Sequence, residues 1–256
     1  MTANTKPTIL IVHGGWQTPE GYEKLISALE SAGYEVHVPR LPSANLVRPP
    51  NADLSTDTAL IRSYAESLIR AGRTVAVIAH SYGGQVASNA LYGLGTEARD
   101  AKGLKGGISH LIYLTGYAVT EGRSMMDTVK ENGNMDLVPL AFDFADDDTC
   151  VHRNPKALLV GPGDEAEVEA YVNTMIRWNG KCMYQPSEHA AWREIPTAYI
   201  YTTADMTVPI HYQRNFVEVL EKAGRKVQTF ELETGHCPNF TDPHGVVNAV
   251  NKVVSG

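Results

Sequence analysis

The sequence predicts an α/β fold: a doubly wound, mostly parallel sheet of about six strands, helices on both faces, and a helical cap inserted into it. Three observations predict it. Short β-rich apolar runs alternate with amphipathic helical patterns over residues 1–116 and again over 195–256. Over 117–194 the alternation breaks down, and one clear helical pattern remains, Glu165 to Trp178. Finally, Thr74 to Gly84, TVAVIAHSYGG, reads as a strand, a sharp turn around a serine, and the start of a helix. The expected organisation is a core of residues 1–116 and 195–256 interrupted by a cap, 117–194.

Each element has its own justification. Thr8 to Val12 is a β-rich run ended by His13-Gly14-Gly15-Trp16. Pro19 opens an amphipathic helix, about Glu20 to Ala32, with Tyr22, Leu25, Ile26 and Leu29 on one face and Gly33 as its stop. Glu35 to Val38 is a second strand closed by Pro39, and Pro42, Pro49 and Pro50 keep Arg40 to Asn51 irregular. A helix from Ser55 to Ala71 stops at Gly72; the strand Val75 to Ala79 and the helix Gln85 to Leu91 follow. Gly93 to Gly107 is a polar connection into the strand Ile108 to Leu114. Beyond the cap, Thr197 to Thr202 and Val227 to Leu232 are strands, His211 to Ala223 and Gly245 to Val254 helices. Ligands of such sheets bind at the C-terminal ends of the strands.

Composition narrows the function classes. A chain of 256 residues, 43% hydrophobic, can bury a sizeable core. A net charge of −7 without a compact block of lysine and arginine argues against nucleic acid or an anionic membrane as partner. The three cysteines, Cys150, Cys182 and Cys237, have no C-x-x-C spacing and suggest neither zinc nor a disulfide framework, so reduced thiols are expected. The N-terminal apolar run is too short for a signal peptide, and no run approaches a membrane span. A soluble cytoplasmic protein is expected, and a homodimer is compatible with it. The acidic run Asp143, Asp146, Asp147 and Asp148 lacks the glycine and glutamate of a calcium loop; it reads as a solvated loop, and no metal is expected.

The chemistry centres on Ser81. Ala79 and Gly83, two positions to either side, make the motif A-x-S-x-G, one methyl from the usual G-x-S-x-G. A serine hydroxyl is a poor nucleophile at neutral pH and needs a base, which in turn needs an acceptor on its other nitrogen. Asp205 follows the strand Thr197 to Thr202, and His236 follows the strand Val227 to Leu232. Nucleophile, acid and base thus fall at the ends of three predicted strands, in the order Ser…Asp…His of the elbow hydrolases. The N–H groups of Tyr82 and of Gly15, in the tight His13-Gly14-Gly15 turn, are placed to stabilise an oxyanion.

These motifs resemble the α/β-hydrolase fold superfamily over nearly the whole chain outside the cap. Within it, the sequence looks like the small group typified by plant methylesterases and hydroxynitrile lyases, which share the H-G-x-x turn at the N-terminus and a cap after the sixth family strand. The resemblance implies Ser81 as nucleophile, Asp205 as acid, His236 as base, and Gly15 and Tyr82 as oxyanion donors. The lyases of that group carry a lysine directly after the histidine; Cys237 stands there in this chain, which speaks against cyanohydrin chemistry. Dehalogenases and epoxide hydrolases of the fold use an aspartate nucleophile, so Ser81 argues against both.

Trp16, His80 and Tyr117 are the candidate substrate-binding residues, with Tyr82 also expected to line the pocket. Met125 and Met126 open the cap, and Trp178, Met183 and Trp192 are candidates to roof the site. His13 braces its own turn, Cys237 is a packing residue, and His189 and His211 have no assignable partner. The expected function is a serine hydrolase that cleaves a small-molecule carboxylic ester or lactone through an acyl-enzyme, with no cofactor. The alternatives are a small-ligand receptor with little turnover, and a non-hydrolytic lyase or cyclase in the same pocket.

Overall fold

The computed structural model describes residues 6–256. Before the cap come the strands β1 (Thr8–Val12), β2 (Val36–His37), β3 (Thr74–His80) and β4 (Gly107–Leu114). They alternate with α1 (Glu23–Ser31), α2 (Leu54–Arg70), α3 (Tyr82–Ala90) and the short α4 (Thr96–Asp100). The cap segment holds α5 (Met125–Glu131), α6 (Val138–Ala141), β5 (Phe142–Phe144), β6 (Thr149–His152), α7 (Glu165–Val172) and β7 (Trp178–Asn179). The core then resumes with β8 (Thr197–Thr202), α8 (Ile210–Lys222), β9 (Val227–Leu232), α9 (Pro238–Thr241) and α10 (Pro243–Ser255). Six strands form one sheet in the order β2-β1-β3-β4-β8-β9, and every neighbouring pair is parallel.

The central strands are mostly apolar because both faces are covered. Leu10, Val12, Val75 and Val77 pack with Ile61 of α2, Val86 of α3 and Leu220 of α8. Ile9, Ile11, Ala76 and Ile78 pack on the other side with Leu25 and Leu29 of α1 and Val246 and Val250 of α10. Burying such an aliphatic side chain is worth about 1.5–3 kcal/mol, so the two strands that carry these residues, β1 and β3, anchor the sheet. The edge strand β9 is half exposed, with Gln228, Thr229 and Glu231 facing out. At α2, Asp53 accepts from the N–H of Ser55 and Thr56 while Thr56 Oγ1 accepts from the N–H of Asp53; this reciprocal cap contributes about 1 kcal/mol.

The cap differs from the helical insertion that the sequence predicts. It contains a three-stranded antiparallel sheet in the order β5-β6-β7 beside its short helices. The helical pattern over Glu165 to Trp178 is helix only as far as Val172. Beyond it, Ile176 N–H donates to the carbonyl of Trp16 at 2.8 Å, and Trp178 pairs with Cys150. Those distant partners override the local helical period, and strands of two to four residues are too short to announce themselves. The acidic run is paired with cations on the surface: Asp147 with Arg48, Asp143 with Arg153 and Asp148 with Lys181. Among the described residues no helix is long and apolar enough to cross a membrane.

Candidate active site

Ser81 sits between β3 and α3 with φ 53° and ψ −125°, a conformation that a side chain rarely adopts. The surroundings hold it there. The Ser81 carbonyl accepts from the N–H of Gly84 at 2.9 Å and of Tyr117 at 3.1 Å. A Cβ at Gly83 would stand 2.1 Å from the carbonyl oxygen of Val12, so only glycine lets α3 start this close to β1. Ala79 is fully buried, and room for its carbonyl comes from Gly116, where a Cβ would approach it to 2.5 Å.

His236 and Asp205 reach Ser81 from the ends of β9 and β8. Ser81 Oγ lies 2.8 Å from His236 Nε2, and His236 Nδ1 lies 2.7 Å from Asp205 Oδ2. All three residues are buried. Asp205 Oδ2 also accepts from Thr115 Oγ1 and Thr202 Oγ1, and Oδ1 accepts from the N–H of Thr207 and Val208, both at 2.8 Å. Burial pushes the Asp205 carboxyl up, but the charge and hydrogen bond of His236 and the donors at Val208 and Thr115 outweigh it, and its pKa is lowered. An ionised carboxylate fixed in this way orients the imidazole and fixes its tautomer.

The His13-Gly14-Gly15-Trp16 turn lies against this group. A Cβ at Gly14 would stand 3.1 Å from Ser81 Cβ, and one at Gly15 would stand 2.8 Å from the ring of Trp178. His13 Nε2 accepts from the N–H of Leu41, which leaves Nδ1–H to donate to the Gly14 carbonyl at 2.8 Å. Burial holds His13 neutral, its pKa pushed down to about 4, so the brace is a neutral imidazole. Trp16 has φ 59°, and its Nε1–H donates to the Cys150 carbonyl at 3.1 Å. The turn is thereby tied to cap strand β6.

A largely apolar cavity of about 110 Å³ opens on Ser81. Trp16, Tyr117, Met125, Met126 and Met183 line it, with Asn134, His152 and Thr207 as polar members.

Four expected positions are corrected. His80 is fully buried and does not line the cavity: its ring meets the Tyr22 hydroxyl and the His236 carbonyl. The Tyr82 side chain also points away, its hydroxyl donating to Asp57 Oδ2 at 2.8 Å, which leaves the backbone N–H as the group presented at the head of α3. Trp178 lies behind Gly15, with Nε1–H donating to Ser43 Oγ at 2.9 Å, and Trp192 donates to the Val119 carbonyl inside the core. Neither tryptophan roofs the cavity. Each carries an N–H that must be satisfied once buried, and the nearest buried acceptors lie below the site. The Cys237 thiol is pushed up to about 12 by burial and touches Gln17, the environment of an inert thiol.

Residues 9–249 match the sequence profile of the alpha/beta hydrolase family. The chain belongs to that family. Among curated proteins, this alpha/beta hydrolase is 29% identical over 243 residues to "Probable hydrolase R7" of Phoma sp., a match spanning 93% of this chain and 94% of the relative. Among solved structures, it superposes on an extracellular alpha/beta-hydrolase from a Paenibacillus species with a TM-score of 0.76 at 16% identity, over 98% of this chain and 100% of the other. A polyneuridine aldehyde esterase superposes with a TM-score of 0.75 at 17% identity, over 97% and 99% of the two chains. At these identities the superpositions establish the fold.

Two features of this alpha/beta hydrolase have no counterpart in the motif reading. Asp57 on α2 is fully buried and accepts from Ser43 N–H, Ser43 Oγ and Tyr82 OH; burial pushes its pKa up to about 6. His152 reaches the cavity from β6. Its signal in the sequence is slight: in Thr149-Cys150-Val151-His152, period-two alternation places Cys150 and His152 on one face.

Proposed function

We propose that the protein is a serine hydrolase that cleaves a small carboxylic ester or lactone through an acyl-enzyme on Ser81. The observation that carries this reading is the unbroken series Ser81 Oγ, His236, Asp205, at 2.8 and 2.7 Å, opening on an apolar cavity. Ser81 Oγ attacks the carbonyl carbon as its proton passes to His236 Nε2. The oxygen of the tetrahedral intermediate takes the charge, facing the N–H groups of Gly15 and Tyr82, each worth about 3–4 kcal/mol in such a site. Collapse breaks the C–O bond of the ester, and His236 gives its proton to the leaving alcohol. Water then attacks the acyl-enzyme, gives one proton to His236, and the acid departs as Ser81 recovers that proton. Every transfer in this cycle uses groups of the chain, substrate and water.

Membership in a family of hydrolases and the hydrolase and esterase names among similar proteins support the same class. The test compares wild type with Ser81→Ala, by fluorophosphonate labelling and by turnover of short-chain p-nitrophenyl esters. The variant is expected to lose labelling and at least about a thousandfold in kcat. Intact turnover in Ser81→Ala would refute the mechanism.

A further inference from the structure

We propose that His152 recognises a second, neutral oxygen function of the substrate, a hydroxyl or carbonyl distinct from the scissile group, and so makes the cavity selective for oxygenated over purely hydrocarbon esters. The inference rests on the hydrolase reading and deepens it by naming a substrate class.

His152 is 8% exposed, and neither Nδ1 nor Nε2 has a hydrogen-bond partner among the described residues. Buried polar side chains are normally satisfied, and one left without a partner costs about 1–3 kcal/mol. Packing does not require an imidazole here. The ring lies edge-on to Trp16 and Phe142, at 4.4 and 4.7 Å between centroids, contacts that a phenyl ring makes equally well. Both nitrogens are enclosed, so a partner for them would have to come from the cavity that the residue lines. His152 shares the cavity with Ser81, and together with Trp16 it also borders a neighbouring cavity of about 170 Å³.

The ring's chemistry defines what it takes. Burial and the neighbouring His236 push its pKa down to about 3, so the imidazole is neutral, with one nitrogen a donor and the other an acceptor. A neutral donor–acceptor pair matches an alcohol or a carbonyl. Met125, Met126 and Val138, which line the same cavity, suit a hydrocarbon framework around that one oxygen. A buried site built to bond an oxygen rejects the analogue that lacks it, because the site group is then left unpaired.

The test measures binding in the Ser81→Ala background, where the ester survives. Methyl alkanoates are paired with analogues that carry an oxo or hydroxy group at successive carbons, and affinities are measured by calorimetry in Ser81→Ala and Ser81→Ala/His152→Phe. At least one oxygenated ester is expected to bind Ser81→Ala about tenfold more tightly than its hydrocarbon partner. His152→Phe is expected to erase that preference. The imidazole ¹⁵N resonances of His152 are expected to shift with the preferred ligand and not with its partner. His152→Gln, which keeps a donor and an acceptor, is expected to retain part of the preference, and it serves with the ¹⁵N shifts if the Phe variant does not fold. The proposal is overturned if no oxygenated ester is preferred, if the preference survives in His152→Phe, or if the His152 resonances do not respond. Failure of the hydrolase reading shows separately, as absent fluorophosphonate labelling of wild type, and leaves the binding comparison readable.

Discussion

The imidazole Nε2–H of His80 donates to the backbone carbonyl of His236 at 2.8 Å, so the residue before the candidate nucleophile grips the residue that carries the candidate base. The other nitrogen of His80 lies 2.5 Å from the Tyr22 hydroxyl, and burial holds the ring neutral, its pKa pushed down to about 3. His80→Leu keeps an apolar filling but leaves the His236 carbonyl without its donor, while the Tyr22 hydroxyl keeps Gly14 N–H and Gln17 Oε1. It is expected to cost about 1–3 kcal/mol of stability. Released from its tether, His236 should also lose alignment, with kcat on an activated ester falling about 10- to 100-fold while KM changes little. Steady-state kinetics and thermal melting check this together. A variant with lowered stability and unchanged kcat would make His80 a packing residue alone.

Gly15 offers a test of how the candidate oxyanion turn is placed. A Cβ there would meet Cε3 and Cζ3 of Trp178 at 2.8 Å. The indole cannot retreat freely, because it is bonded to Ser43 and packed edge-on to Trp16 and Tyr82. Gly15→Ala is therefore expected to displace the turn and cost about 10²- to 10³-fold in kcat, the scale of one lost oxyanion donor. Adding Trp178→Leu should recover part of the loss by giving the new methyl room. No recovery in the double variant would mean that the glycine matters for another reason.

The buried titratable groups set a pH dependence whose sign can be worked out. Burial lowers His13 to about 4, and His80 and His152 to about 3, from 6.5. The unfolded chain binds those protons first. The share of stability from these residues is present above about pH 6.5 and is lost as pH falls toward the folded values, each at up to about 1.4 kcal/mol per pH unit. Asp57 acts in the opposite sense. Its pKa is raised from 3.8 to about 6, so its share is present at low pH and lost as pH rises to about 6. Three histidines outweigh one carboxyl, and unfolding free energy is expected to drop between about pH 6.5 and pH 4.5. Urea denaturation across that range checks it, and His152→Phe should flatten the slope. A profile independent of pH would contradict the assignment of neutral buried histidines.

Much of the fold was legible because its signals are local. The apolar runs at β1 and β3 are continuous, since parallel strands are buried on both faces. The serine turn is legible from Ala79, Gly83 and the helix that follows, and Asp205 and His236 from their places just after strands. The internal structure of the cap was not legible. Its strands hold two to four residues and take their pairing from segments far apart in the chain, as Cys150 does with Trp178. His80 was misplaced for a related reason: adjacency to Ser81 in sequence says nothing about direction, and the turn sends the two side chains into different surroundings.

By itself the sequence determined the parallel α/β architecture, the strained serine turn and the chain order of serine, aspartate and histidine, because hydrophobic period and turn chemistry act over a few residues. Tertiary structure alone decided what meets what. It put Ser81, His236 and Asp205 within hydrogen-bond distance, turned Tyr82 toward Asp57, set Trp178 behind Gly15 and brought His152 to the cavity. Those outcomes depend on satisfying buried polar groups with partners up to 155 residues away, as between Ser81 and His236. No local pattern encodes such a partner.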